Sequence, residues 1–212
     1  MKQKLSFWTG IIGVILFGFT TIIAGFQYSN YSFISQFISE IYAVDAPNAD
    51  VIRYYFYLPS GILFLLFTLF SNASLPKSKL RTIGFILIGF GYGFGTILCS
   101  IFNCDIGCNP QFTNPSISQI IHNMMGMITY FIVPLAILMI AIASKKWDKA
   151  VTFTKLSFAT AFISFIFFIV LYTNLDSSLK GLFQRIIEGS ILIWIVECSI
   201  YVDKNIINKS KI

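Results

Sequence analysis

Six long apolar runs, separated by short polar segments, set the pattern of this chain. They fall at about Phe7–Phe26, Val51–Phe70, Leu80–Phe102, Ser118–Ala143, Phe153–Tyr172 and Leu182–Val202. Crossing a hydrocarbon layer about 30 Å thick takes roughly 17–25 helical residues, and each run reaches that length. None alternates apolar and polar positions as a barrel strand would, and in lipid every backbone N–H and C=O must be satisfied within its own segment. The pattern therefore predicts an all-α bundle of six transmembrane helices. Lys155 interrupts the fifth run near one end, where a lysine can extend its charge back to the interface. The first run follows Lys2 and Lys4, as a signal peptide would, but it is longer than the roughly 7–15 apolar residues of a cleaved leader. No small-x-small site follows it at the right distance, so it is expected to stay as the first helix.

Composition sharpens this picture. Of the 212 residues, 56% are hydrophobic and 11% charged, against about 25% charged in an ordinary soluble domain. No Pro/Gly/Ser-rich or charged linker divides the chain, so residues 1–212 are expected to form one domain. The net charge of +6 does not point to nucleic acid, because the basic residues sit in short clusters between apolar runs. Lys2, Lys4, Lys77, Lys79, Arg81, Lys145, Lys146, Lys149, Lys155, Lys204, Lys209 and Lys211 fall on one side, and Arg53, Lys180 and Arg185 on the other. The positive-inside rule makes the first side cytoplasmic, with both termini there. Trp8 and Trp147 then fall near the inner boundary and Tyr54, Tyr55 and Tyr57 near the outer one, where an aromatic belt belongs. The longest connection, residues 27–50, is external. Within it Phe33, Ile34, Phe37, Ile38 and Ile41 share one helical face, which suits a short helix lying in the outer interface; a plain extended loop is the alternative.

Four stretches carry a family likeness: SQFISEIYAVDAPNADVIRYYFYLPSG, GFILIGFGYGFGTILCSIFNCDIGC, SQIIHNMMG and GLFQRIIEGSILIWI. Their order and spacing resemble the prokaryotic membrane family known as domain of unknown function 998. The matching motifs are the Phe102-x-x-Asp105 turn, Ser118 with His122, and Gly181-Leu182-Phe183-Gln184-Arg185. Cys104 and Cys108 depart from the usual turn, where prolines or small residues are commoner. The resemblance covers most of the chain and implies a fold and a cell-membrane location, with no assigned activity.

An ionisable residue at the centre of a span costs about 2.5–3.5 kcal/mol on insertion scales and is a functional candidate by default. His122 lies a turn or so into the fourth helix. With Ser118, Gly126 and Thr129 it forms an i, i+4, i+8, i+11 stripe that should turn inward. Arg185 and Glu188, at i and i+3, share a face of the sixth helix, and Asp105 sits in the turn above the third. His122, Arg185, Glu188, Asp105 and Ser118 are therefore the candidate ligand-binding residues of an outward-facing polar pocket. The alternative is a structural Arg185–Glu188 ion pair with a hydrogen-bonded core histidine. Cys104 and Cys108, in an oxidised compartment, suit a disulfide; free thiols and a metal site shared with His122 or Asp105 are the alternatives. Zinc would need more ligands than one His and one Cys pair readily supply. No cofactor is expected, and membrane lipids are the expected partners.

Three attractive motifs fail. Gly91-Tyr92-Gly93 lies inside a full-length span and not in the re-entrant loop of a potassium filter. A dinucleotide fingerprint is broken by Phe94, and a bis-histidine haem needs a second His. The glycines at 89 and 93, and at 91 and 95, instead offer small surfaces on two faces, which suits a third helix packed closely on both sides. Pro134 is expected to kink the fourth helix. The leading functional reading is a pocket for a lipid headgroup or small amphiphile, with Arg185 meeting an anionic group and Arg53 nearby. The rival is an intramembrane lipid-modifying enzyme with His122 as acid–base, oriented by Asp105 or Glu188. A small-solute transporter is third, because no repeat or midplane charge supports it.

Overall fold

The structure, a computed structural model, describes the backbone of residues 1–209 and side chains up to Lys204. The Lys209 side chain and Lys211 lie outside what is described. Six long helices account for the apolar runs: α1 Lys2–Gln27, α2 Ala49–Ser74, α3 Lys79–Ile101, α4 Ile117–Ser144, α5 Val151–Thr173 and α6 Lys180–Lys209. The first five are long and apolar enough to cross a membrane. The last is as long but more polar, since Arg185, Glu188, Glu197 and Asp203 interrupt it. Their outward faces carry Ile15 and Phe19, Leu69, Ile86, Phe131, Phe162 and Ile193, all exposed. So continuous an apolar exterior has no place in water, and the chain is read as a membrane protein.

Connections of a few residues make most sequence neighbours antiparallel partners, and the ring closes where α6 packs on α1. Lys4 meets Asp203 at 2.9 Å, so the start of α1 and the far part of α6 lie at one end of the bundle. Side-chain caps define two helix starts: Ser78 accepts from Arg81 N–H and Ser116 from Gln119 N–H.

The glycines of α3 do what their spacing predicts. A Cβ at Gly89 or Gly93 would strike Thr68 or Leu65 of α2, and one at Gly91 or Gly95 would meet Val133 or Thr129 of α4. Wider π-type turns interrupt two helices, at Arg53–Tyr57 and Gly89–Phe94. In the first, Leu58 N–H reaches five residues back to Arg53. Pro59, directly after it, has no N–H and crowds the turn before it, which the wider turn accommodates. In the second, Gly95 N–H reaches Phe90, and the Gly91 carbonyl receives the Thr129 hydroxyl at 2.6 Å. α4 runs unbroken through Pro134.

Aromatic packing fills the half of the bundle near the termini. Trp194 is fully buried among Phe67, Phe85 and Phe153 and donates to Ser157 at 2.9 Å. Trp147 stacks on Phe153 and Tyr201 and is buried, as is Tyr57. Neither therefore belongs to an exposed belt, unlike Trp8, Tyr54 and Tyr55.

The long connection between α1 and α2 also differs from an interfacial helix. Its helical part is a 3-10 turn, Ile38–Tyr42, with every residue buried. Ile38 and Ile41 face the bundle while Ile34 stays exposed, so the segment plugs the open end of the ring. The apolar spacing reflects packing onto helices and not onto lipid.

Candidate functional site

The plug is held by the start of α6. Leu182 N–H donates to the Ile34 carbonyl at 2.8 Å, and Ile38 N–H donates to Gln184 Oε1 at 2.6 Å. A Cβ on Gly181 would come within 2.2 Å of the Gln36 carbonyl oxygen, so only glycine lets the two backbones approach. Arg185 donates to the Gln36 and Gly181 carbonyls at 2.8 and 2.9 Å and to the Tyr31 hydroxyl, and its guanidinium lies over the Tyr31 and Phe33 rings. The Gly-Leu-Phe-Gln-Arg motif is thus a docking device for the first loop. Within that loop Glu40 accepts from Phe37 N–H at 2.8 Å and from Gln36 Nε2 at 2.7 Å.

The other two motifs bind each other. Ser118 O–H donates to the Asn103 carbonyl at 2.6 Å, and His122 Nδ1 lies 2.8 Å from the Phe102 carbonyl. A carbonyl only accepts, so Nδ1 carries a proton in that contact. Asp105 accepts from Ser116 N–H at 3.0 Å, and its own N–H donates to Gln119 at 2.7 Å. The hydrogen bonds from Ser116 hold the half-buried Asp105 carboxyl below its usual range. Cys104 and Cys108 are joined as a disulfide with Cα atoms 4.8 Å apart. Gly107 adopts a left-handed φ of 55° within the turn they close. This turn meets the plug: Val44 N–H donates to the Cys104 carbonyl at 3.1 Å, and the Ser39 hydroxyl lies 3.3 Å from the Cys108 sulfur.

Beneath the plug lies a chamber of about 70 Å³, bounded by α1, α2, α3, α4 and α6. Glu188 is its focus. Tyr92 O–H donates to one carboxyl oxygen and Tyr130 O–H to the other, both at 2.8 Å. Gln184 Nε2 donates to Tyr130 at 2.9 Å, so a hydrogen-bonded chain runs from the plug backbone through Gln184 and Tyr130 to Glu188. Both π-type turns bring a tyrosine to this chamber, Tyr57 and Tyr92, in keeping with the frequency of such turns at functional sites. His122, Gly126 and Thr129 line it as well. A second cavity of about 480 Å³ adjoins it, sharing Ser39, His122, Gly126, Tyr130 and Gln184. Its remaining walls are largely apolar, with Ile120, Met124, Met127, Leu171 and Leu175 among them and Lys180 as a basic residue.

Of the residues singled out from sequence, the chamber brings together His122 and Glu188. Arg185 turns away to the plug, and no ion pair joins it to Glu188 among the described residues. Asp105 and Ser118 organise the turn outside the chamber, so His122 is oriented by a backbone carbonyl and not by Asp105 or Glu188. Arg53 pairs with Asp50 at 2.7 Å and covers Tyr54. Tyr92, Tyr130 and Gln184 went unrecognised. The signal was present in part: Gln184 is i−4 from Glu188, and Tyr130 is one residue past the inward stripe of α4.

No curated protein and no solved structure gave a match. The model of the DUF998 family, described as a protein of unknown function, matches residues 11–200, and the chain belongs to that family.

Proposed function

We propose that this is a six-span membrane protein with both termini in the cytoplasm, and that it holds a small amphiphile between its outer loops and the Glu188 chamber. The observation that carries the reading is the pairing of cavities. The apolar cavity beside α4 and α5 suits a hydrocarbon chain, and the chamber it adjoins, with Glu188 at its focus, suits a headgroup, the usual division of labour in small-molecule sites. The orientation rests on the twelve-to-three basic bias and on the disulfide lying on the side with few lysines, where an oxidising compartment sustains it.

Gly126 provides the test. It lines both cavities, and a Cβ there would meet nothing within 4 Å, so a side chain can start there without striking packed atoms and grow into the junction. A diazirine-bearing hexadecanol, photolysed with the full chain in phosphatidylcholine nanodiscs, should label peptides around Met124 and Met127. Gly126→Trp should remove that labelling, whereas Gly18→Trp, on the open outer face of α1, should not. Labelling spread evenly over lipid-facing residues such as Phe19 and Ile166, and indifferent to Gly126→Trp, would dispose of the pocket. A second reading follows from the imidazole of His122 in the chamber wall, acid–base chemistry on the bound lipid. It predicts that His122→Gln keeps photolabelling but stops conversion of bound lipid.

A further inference from the structure

Hydrogen-bond accounting in the chamber points to a ligand rich in donors and positively charged. The lining hydroxyl groups are mostly committed. Thr96 O–H donates to the Tyr92 carbonyl, Ser100 to Thr96 and Thr129 to Gly91. Thr21 donates to the Phe17 carbonyl, so the 2.7 Å contact between Thr21 and Tyr57 uses the Tyr57 proton. Tyr92 and Tyr130 give theirs to Glu188, and the Gln184 amide lies between Ile38 and Tyr130. His122 uses Nδ1–H on Phe102, and the Cys99 thiol points to the His122 carbonyl. Tyr42 and Ser39 retain hydroxyl protons. What the chamber chiefly offers is acceptors, above all the second lone pairs on the Glu188 oxygens.

Glu188 is 7% exposed and has no ion pair among the described residues. A buried carboxylate without a counter-charge is costly, and two phenol hydrogen bonds supply partial charge only. Around it stand the rings of Phe17, Tyr42, Tyr57, Tyr92 and Tyr130, an aromatic surround that favours a cation.

We infer that the chamber binds the ammonium group of an amphiphilic amine, with N–H donors to Glu188 and the hydrocarbon in the adjoining apolar cavity. A primary ammonium fits better than a quaternary one, because the open valences need N–H groups. This rests on the amphiphile reading above. The same chemistry occurs in a free alkylamine and in the headgroup of an aminophospholipid.

The test is competition against the hexadecanol photoprobe with the full chain in phosphatidylcholine nanodiscs, using dodecylamine, dodecanol and laurate. Dodecylamine should displace the probe at about a tenfold lower concentration than either of the others, as about 1.4 kcal/mol or more of cation–π and ionic preference requires. Glu188→Gln, which keeps the shape and an acceptor, should bring dodecylamine level with dodecanol. If that variant does not fold, the headgroup ranking in the unmodified protein decides alone. Dodecanol or laurate equal to or better than dodecylamine overturns the ammonium site and leaves the amphiphile pocket standing. If no probe responds to Gly126→Trp, the pocket itself falls. Including phosphatidylethanolamine in the nanodiscs separates the sources: loss of dodecylamine competition marks a membrane aminolipid, and unchanged competition marks a free amine.

Discussion

Arg185 and Glu188 sit less than one helical turn apart on α6, and the structure gives them separate work. Positions i+3 and i+4 lie on either side of the line through residue i, so Arg185 and Gln184 flank Glu188 about equally. The shorter Gln184 stays in the chamber's hydrogen-bonded chain. The longer Arg185 reaches out to the Gln36 carbonyl and to Tyr31. Sequence spacing therefore put Arg185 and Glu188 on one face but could not say that Gln184, and not Arg185, would join the hydrogen-bonded chain to Glu188. Arg185→Leu should undock the plug, costing about 2–3 kcal/mol as a charge-assisted hydrogen-bond set would. Thermal unfolding in detergent and faster hydrogen exchange over residues 31–38 would register it; unchanged exchange there would contradict the docking role. Tyr31 gives a pH signature at the same spot. Burial, only partly opposed by Arg185, raises its phenol to about 12. The unfolded chain would ionise near the ordinary value of about 10, so the folded state loses stability as pH rises from about 10 through 12. Tyr31→Phe should flatten that alkaline loss, which denaturation midpoints measured across this range would show.

At the scale of elements, the length of the apolar runs located all six helices, because length and hydropathy are local properties of the chain; α1 begins earlier, at Lys2, and α6 runs on past Val202 to Lys209, since polar residues at helix ends lie outside an apolar run. The glycine spacing of α3 was equally legible, since small residues four apart imply contact on that face whatever the neighbour is. The first loop was not legible. Its apolar residues could be read against lipid or against protein, and only the closed ring of helices decides which surface is available. The π-type turns were hidden as well, although Pro59 marks the first and the glycine run the second. Gly61 and Gly93 give the sharpest test of close packing. A Cβ on Gly61 would lie 2.9 Å from the Gly93 carbonyl oxygen and from the Ile97 nitrogen, both backbone atoms that cannot rotate aside. Gly61→Ala should therefore separate α2 from α3 at a cost of about 1–3 kcal/mol, typical of overpacking. Gly18→Ala, with nothing near it, should be neutral or slightly stabilising, because alanine is the better helix former. Equal melting temperatures for the two variants would mean that α2 and α3 are not in that contact.

For the whole molecule, the remaining question is which end of the bundle faces the cytoplasm. The ion pair between Lys4 and Asp203 puts the start of α1 and the far part of α6 at one end, as the proposed six crossings would require. It carries no information about sidedness, and charge distribution must supply that. Lys77, Lys79, Lys145, Lys146 and Lys149 sit in the short connections at the Lys4 end, while the plug and the disulfide turn occupy the opposite one. Lysine and arginine resist translocation across an energised membrane, and a disulfide persists on the oxidising side. The two arguments are independent and agree. Reporter fusions after Lys79 and after Lys146 should then behave as cytoplasmic, and a fusion after Asp176 as exported. The last fusion also tests α6, the most polar of the six helices, because its two ends must report on opposite sides if it crosses. A fusion after Lys204 that reads as exported along with the one after Asp176 would mean that α6 does not span. An exported signal after Lys79 would reverse the whole orientation, and would turn the amphiphile pocket to face the cytoplasm.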